Sequence, residues 1–348
     1  MSSILFDNYL IIIILWVAGI AGIVGNSYVL YSVFSFRKIG NTVNTKLSIR
    51  RPQGRALNRA RGRTFVILIF NLAIGDLLGS GHLIIVAISD IRYRFVKITL
   101  SNISNPLTVL VYSRWLDDPA CYLARFLHIT SITISICLMG LIAIDRFFRI
   151  VFPFSTTLRI TSKYAIISVL ISWLASMVLA ILGDYFAYLY RTFGLNIIQL
   201  YQIRNLCTID IAFNNSEKVY LSTMIMTGSI IYIMAICMYG MIAVKIRRIS
   251  AATDINKVTL TDHKMEKRVF TTAIVIAITN FITWFPAFIT GLISVFNYTN
   301  IFGKSQFIII SAIFNVILQA NCSINPIIFV MSTRKKQISI LNVRSSVR

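Results

Sequence analysis

From Asn8 to Phe36 the chain carries no ionisable side chain other than tyrosine. This stretch limits the possible folds more than any other feature, because about 20 apolar residues in helical form cross a bilayer core. It is too long for the apolar core of a secretory signal and has no cleavage signature, so it reads as a retained first span. Comparable stretches recur near 64–89, 119–148, 163–186, 219–244, 268–296 and 306–331, which predicts seven spans. Composition agrees: 57% of the 348 residues are hydrophobic and only 13% are charged. Soluble domains carry about 25% charged residues, so a water-soluble globule is excluded. Disordered chains need low hydrophobicity, and this one does not have it. A barrel would show alternating segments of about 10 residues rather than long apolar runs. The expected fold class is an all-α membrane protein, a seven-transmembrane-helix bundle. Residues 8–331 form the membrane domain, 1–7 an outer N-terminal segment and 332–348 an inner tail. Ser332 to Leu341 reads as a short amphipathic eighth helix, with Arg334, Lys335 and Lys336 facing anionic lipid.

The formal net charge is +22. In a soluble protein that balance would suggest nucleic acid. Here the placement of the charges decides otherwise. Of 34 Lys and Arg residues, 25 lie in or beside the segments that follow spans one, three, five and seven. The basic side of a membrane protein faces the cytoplasm, so the N-terminus is expected outside, with no nucleic-acid partner. Three glycosylation triplets fall in loops assigned to the outside: Asn102-Ile103-Ser104, Asn214-Asn215-Ser216 and Asn297-Tyr298-Thr299. Cys121 opens span three at its outer end, and Cys207 lies in the outer loop between spans four and five. Both face an oxidising compartment and could bridge. Cys137, Cys237 and Cys322 lie within spans, where a thiol acts as a small apolar group.

Polar groups within spans are costly and therefore informative. Span one contains Asn26, and span two contains Asn71-Leu72-Ala73-Ile74-Gly75-Asp76. Span three contains Ser131 and Ser135 and ends in Asp145-Arg146-Phe147. Trp173 lies in span four. Span six carries Thr283-Trp284-Phe285-Pro286, and span seven carries Asn321 and Asn325-Pro326-Ile327-Ile328-Phe329. In order and by span, this set resembles the rhodopsin-like (class A) G-protein-coupled receptors over nearly the whole chain. Asn26 matches the asparagine of the family's first span. Leu72 to Asp76 matches its Leu-Ala-x-x-Asp pattern. Cys121 and Arg146 stand at the family's separation. Trp284 and Pro286 match Cys-Trp-x-Pro, with Thr283 in place of cysteine. Asn325-Pro326 opens Asn-Pro-x-x-Tyr, with Phe329 in place of tyrosine. Within the family, Ile150 to Phe154, Asp90 to Arg94 and Trp115 resemble the relaxin and glycoprotein-hormone receptor branch. That branch carries a leucine-rich ectodomain. Here about seven residues precede span one, so the ectodomain is absent or the chain is incomplete.

The resemblance assigns roles. It implies a sodium ion held by Asp76 and Ser135, with Asn26, Asn321 and Asn325 in a polar network around it. The residues themselves also fit a hydrogen-bond network with no ion, and no other cofactor is implied. It implies an activation switch of Asp145, Arg146, Tyr239, Glu266, Trp284, Pro286, Pro326 and Phe329. Arg146 would pair with Asp145 and with Glu266 in the inactive state, and with Tyr239 after opening. Phe329 has no hydroxyl for the active-state link. Ile231 stands where span five usually has proline. A ligand pocket is expected around Arg125, His128, Trp284, Phe288, Asn315 and Gln319, basic and polar enough for an anionic or peptide ligand. Arg125 has an alternative use, as a partner for an outer-loop acid such as Asp117. His128 stands where amine receptors carry aspartate. Residues 306–331 hold no lysine for a retinal Schiff base.

The implied function is reception of an extracellular ligand, a peptide favoured, and activation of a heterotrimeric G protein at the plasma membrane. Arrestin and receptor kinases are further implied partners. A signalling-inactive receptor-like scaffold is the main rival, motivated by Phe329 and Ile231. A transporter would show broken helices and several charges along a pathway. Gly79-Ser80-Gly81-His82 resembles a serine-protease loop but has no matching base, so no enzyme is expected. An epitope inserted before Tyr9 is expected to be reached by antibody on intact cells, and one in the tail only after permeabilisation. The reverse pattern would overturn the orientation.

Overall fold

The computed structural model describes residues 9–46, 52–100, 115–152, 155, 160–193, 206–209, 215–252, 260–296 and 304–345. Seven helices account for nearly all of them: α1 (Tyr9–Lys46), α2 (Pro52–Leu100), α3 (Pro119–Val151), α4 (Ser162–Phe193), α5 (Asn215–Ala252), α6 (Leu260–Val295) and α7 (Lys304–Ser345). Each contains one stretch long and apolar enough to cross a membrane, and together these make seven candidate spans. Without water in the hydrocarbon layer every backbone N–H and C=O needs an internal partner, and a helix supplies one within a single segment. No strand occurs among the described residues. The eighth helix is present as residues beyond Met331, to Ser345. It runs on from span seven without a break, rather than as the separate element expected at Ser332 to Leu341.

The helices close into a ring around α3. That helix packs on α2, α4 and α5 and touches α6, while α1 packs on α2 and α7, and α6 joins α5 to α7. The outward faces of α1, α4 and α5 are lined by exposed Ile, Leu, Val and Met. That is the expected pattern where lipid is the solvent. Lipid tails are as apolar as leucine, so helix association has to come from close packing and polar contacts. Small residues provide the packing. A β-carbon on Gly25 would lie 2.7 Å from Pro326 Cγ, so α1 and α7 meet there as backbone against ring. Ile231, at the place of the missing span-five proline, packs against Gly140 of α3; a β-carbon there would lie 2.9 Å from its Cγ2.

The outer end of the bundle is tied covalently. Cys121 at the start of α3 is bridged to Cys207, 86 residues later, with their α-carbons 5.5 Å apart. The bridge draws Leu206, Cys207, Thr208 and Ile209 into buried positions over the mouth. Beside it, Asp118 caps α3 by accepting from Ala120 N at 2.9 Å, and Pro119 occupies the first turn, where its missing N–H is harmless. The same carboxylate accepts from Tyr93 Oη at 2.9 Å, and Tyr93 packs on the buried Trp115 ring. Asn102, Asn214 and Asn297, the three expected glycosylation sites, lie outside the described residues. Gly25→Val is expected to push α1 off α7 and to cost about 1–3 kcal/mol, read as a lower unfolding temperature of the purified protein. An unchanged temperature would show that this contact tolerates a side chain.

Candidate functional site

Asp76 lies on α2 at mid-span and is buried. Asn325 Nδ2 of α7 donates to its Oδ2 at 2.9 Å. Ser135 Oγ of α3 lies 3.5 Å from Oδ1. One carboxylate thus joins three helices. The other two asparagines are engaged elsewhere. Asn26 Nδ2 donates to the carbonyls of Gly22 and Cys322, each at 2.9 Å. The reason lies in α7: Pro326 has no N–H, so the carbonyl four residues earlier, that of Cys322, lacks its helical donor. Asn26 fills that vacancy from α1 instead of reaching Asp76. Asn321 is turned to α6, where its Nδ2 donates to Asn280 Oδ1 at 2.6 Å, and Asn280 Nδ2 lies 3.1 Å from Met139 Sδ on α3. The expected ring of asparagines is therefore two separate polar clasps, one between α1 and α7 and one between α6, α7 and α3.

The residues present fit a hard monovalent cation. Beside the carboxylate, Asn325 Oδ1 is a buried acceptor with no hydrogen-bond donor among the described residues. The long Ser135 contact leaves Asp76 Oδ1 only weakly held. An all-oxygen donor set with one negative charge suits such an ion. Ser80, which the sequence placed beside a protease-like glycine pattern, donates instead to the Asp76 carbonyl at 2.8 Å and packs on Cys322. Its hydroxyl is part of the packing.

At the inner rim Asp145 is enclosed. Arg146 forms an ion pair with it at 3.0 Å, but the aligned hydrogen bond comes from Arg149 Nε, one turn on, at 2.7 Å. The Arg146 guanidinium lies over the Phe65 ring of α2, 4.3 Å from its centroid. Phe65 also helps enclose a small apolar cavity with Leu72, Met139, Tyr239, Ile276 and Asn280. Tyr239, the expected later partner of Arg146, is therefore already buried beside it. Phe329 packs at the edge of the same apolar cluster. Glu266 lies within α6, but its side chain is outside the described residues. α6 continues through Pro286 as a single helix, with the Ile282 carbonyl deprived of its helical donor. Nearby, Trp173 Nε1 donates to Asn71 Oδ1 at 3.0 Å and ties α4 to α2.

The outer half differs from expectation in its charge. Arg125 does not offer a bare cation to a cavity: it is buried and paired with Asp184 of α4 at 3.1 Å. His128 packs on His82 of α2, ring centroids 4.7 Å apart, and His82 Nδ1 lies 3.0 Å from the Ala124 carbonyl. Trp284 meets Tyr232 of α5 edge to face at 5.3 Å. Phe288 stacks on Phe285 at 6.5 Å and is half-buried. Asn315 and Gln319 are buried on α7, and Asn315 Nδ2 donates to the Ser311 carbonyl at 3.0 Å. A β-carbon on Gly79 would lie 2.6 Å from Ser131 Oγ and 3.0 Å from Gln319 Nε2, so α2, α3 and α7 converge there. The sequence singled out no role for Asp184, Asn280, Arg149 or Phe65, and it placed His82 only in a protease-like glycine pattern. For Asp184 and Asn280 a signal was present: each is a polar residue in an otherwise apolar span.

The family model for the 7 transmembrane receptor (rhodopsin family) matches residues 56–329. Over 334 residues, 94% of this chain, the sequence is 25% identical to the G-protein coupled receptor GRL101 of Lymnaea stagnalis. Over 286 residues, 80% of this chain, it is 24% identical to Relaxin receptor 2 of Homo sapiens. The matches cover only 25% and 34% of those two proteins, so the chain spans about a quarter to a third of their length. Squid rhodopsin shares the fold at a TM-score of 0.62 and 18% identity, over 97% of this chain and 85% of that one. With seven spans, the Cys121–Cys207 bridge and the motif residues in register, the chain belongs to the rhodopsin family of seven-transmembrane receptors, G-protein-coupled receptors of the plasma membrane rather than enzymes.

Proposed function

We propose that this chain receives an extracellular ligand in its outer half, a peptide favoured, and activates a heterotrimeric G protein by outward movement of the inner part of α6. The observation that carries this reading is the stacking of polar groups along α3. His128 and Ser131 stand in the outer third, Ser135 beside Asp76 in the middle, and Asp145 with Arg146 at the inner rim. Similarity to a protein named as a relaxin receptor favours a peptide ligand. The basic loops favour an outer N-terminus and an inner tail.

The mechanism follows from what each group holds. A ligand pressing on Trp284 and Phe288 loads α6 just beside Pro286, where the helix has lost one hydrogen bond and bends most easily. Below that point α6 is held by Asn280, through Asn321 to α7 and through Met139 to α3. Breaking that clasp frees the inner half of α6. A small apolar cavity lies next to Asn280 and Tyr239, so the helices pack less tightly there. Arg146, held against Asp145 and Phe65, then turns into the opened cleft, where a helix from the G-protein α-subunit would lie in the groove. A ligand can shift this equilibrium only by its differential affinity for the two states. Asp76 and Ser135 would hold a sodium ion in the inactive state, supplying a positive charge that ties α2 to α3. Arrestin and receptor kinases would read the same opened inner face.

A signalling-inactive scaffold is favoured by one observation: Phe329 packs as an apolar residue and offers no hydroxyl to an active-state link. Recruitment of a G protein separates the two readings. The activating variant Glu266→Ala is expected to recruit one in cells without added ligand; if neither it nor the wild type ever does, the scaffold reading stands. Asn280→Leu removes one hydrogen bond of the inactive clasp, worth about 1 kcal/mol. Basal nucleotide exchange is then expected to rise about five-fold, and an unchanged rate would separate the clasp from activation. Sodium is expected to raise the unfolding temperature of the wild type relative to choline at equal ionic strength. Asp76→Asn should abolish that difference; a difference that survives would remove the ion from this site.

A further inference from the structure

The corner where α2, α3 and α7 meet in the outer half forms two polar rungs. Gly79 and His82 stand three residues apart on α2, and Ser131 and His128 stand three apart on α3, so each pair occupies one helical face one turn apart. His82 packs on His128 at 4.7 Å to form the upper rung. Ser131 packs against Gly79 to form the lower one, and Gln319 of α7 closes on the same glycine. All of these side chains are buried.

Two atoms of this corner have no hydrogen-bond partner among the described residues: His128 Nδ1 and Gln319 Nε2. Native proteins satisfy nearly all such buried groups, so an unsatisfied pair in one corner marks a place where a further molecule is expected. A third atom is directed by its surroundings. The Ala124 carbonyl can only accept, so the His82 nitrogen facing it at 3.0 Å carries the proton, and His82 Nε2 is left as a lone pair. The corner therefore presents a side-chain amide and the His128 imidazole, each able to donate and accept, and a His82 nitrogen that can only accept.

Among the described residues, the buried charges of this half are already committed. Arg125 is paired with Asp184. Asp90 and Glu217, its other buried acids, are each engaged within the protein. An anionic ligand group would need a cation released from its partner, and a cationic group an acid released likewise. Taking one partner from a buried ion pair is strongly unfavourable. A neutral group with one donor and one acceptor meets no such penalty.

The geometry points to a neutral amide as the chemical group that anchors the ligand, its carbonyl accepting from Gln319 Nε2 and its N–H donating to a ring nitrogen of His128 or His82. The inference rests on the receptor reading above and narrows its ligand to an amide-bearing molecule, such as a peptide held by an internal or amidated unit rather than by a charged terminus. Binding opens the corner enough to admit the amide, and the apolar remainder of the ligand lies toward Trp284 and Phe288.

The test uses the full chain reconstituted in lipid nanodiscs and three probes on one aromatic skeleton: N-acetylphenylalaninamide, N-acetylphenylalanine and phenethylamine. They are neutral, anionic and cationic at neutral pH. Saturation-transfer NMR titration is expected to show the neutral amide binding at least ten-fold more tightly than either ion. Gln319→Leu and His128→Phe are each expected to weaken the amide at least ten-fold while leaving the weak binding of the ions unchanged. Equal or tighter binding of an ionic probe by the wild type would overturn the proposal, whatever the variants do. So would no detectable binding of the amide, or unchanged amide binding in folded variants. Nucleotide exchange on added G protein is measured on the same sample. Exchange without amide selectivity sinks only this inference, whereas no exchange from either wild type or Glu266→Ala sinks the receptor reading beneath it.

Discussion

A carboxylate buried at mid-bilayer cannot call on water, so it either finds donors on neighbouring helices or becomes a heavy burden on the fold. Asp76 finds them on α3 and α7, and this requirement organises much of the bundle. It fixes the rotation of α2 so that Asp76 faces inward. With that rotation, Gly75 and Gly79 lie against α3, and Ser80 against α7. The tight approach of helices at these glycines then becomes possible, and it is close packing that holds helices together in lipid. Polar satisfaction and steric fit are thus two consequences of one orientation.

The same logic explains the proline of α7. Pro326 frees the Cys322 carbonyl, and a freed carbonyl in a bilayer has to be answered. Asn26 answers it from α1, and the bare backbone of Gly25, its neighbour in sequence, lies against the proline ring. A residue that weakens one helix therefore creates the contact that attaches another. In α6, Pro286 frees the Ile282 carbonyl in a helix that is anchored one and a half turns further in, at Asn280. In the proposed mechanism the loose point lies nearer the ligand side and the anchor nearer the G-protein side, which is a sensible order for a lever.

Much of this was legible in the chain. Long apolar runs reveal spans because only a helix spans lipid economically, and the asymmetry of Lys and Arg carries orientation. Asp76, Ser135 and Asn325 were grouped as one site by the resemblance to the family, and a buried acid in lipid draws such polar partners. The partners of Asn26, Asn321 and Arg125 were not. Asn26 was expected at the carboxylate and is held by a backbone carbonyl, and Asn321 by an amide of α6. Arg125 was expected either to face a ligand cavity or to pair with an outer-loop acid such as Asp117, and it is held by Asp184 of α4. In each case the residue type was informative, but the choice among several polar partners depended on helix rotation and depth.

The sequence by itself determined the number of crossings, their order and the family, since these rest on composition and spacing along one chain. Only the tertiary structure decided which polar groups meet. It joined Arg125 to Asp184, set His82 on His128 and brought Asn280 to Asn321. Such pairings link residues tens of positions apart. They depend on differences of about 1 Å and a few tens of degrees in how neighbouring helices pack, and no local pattern in the chain records those.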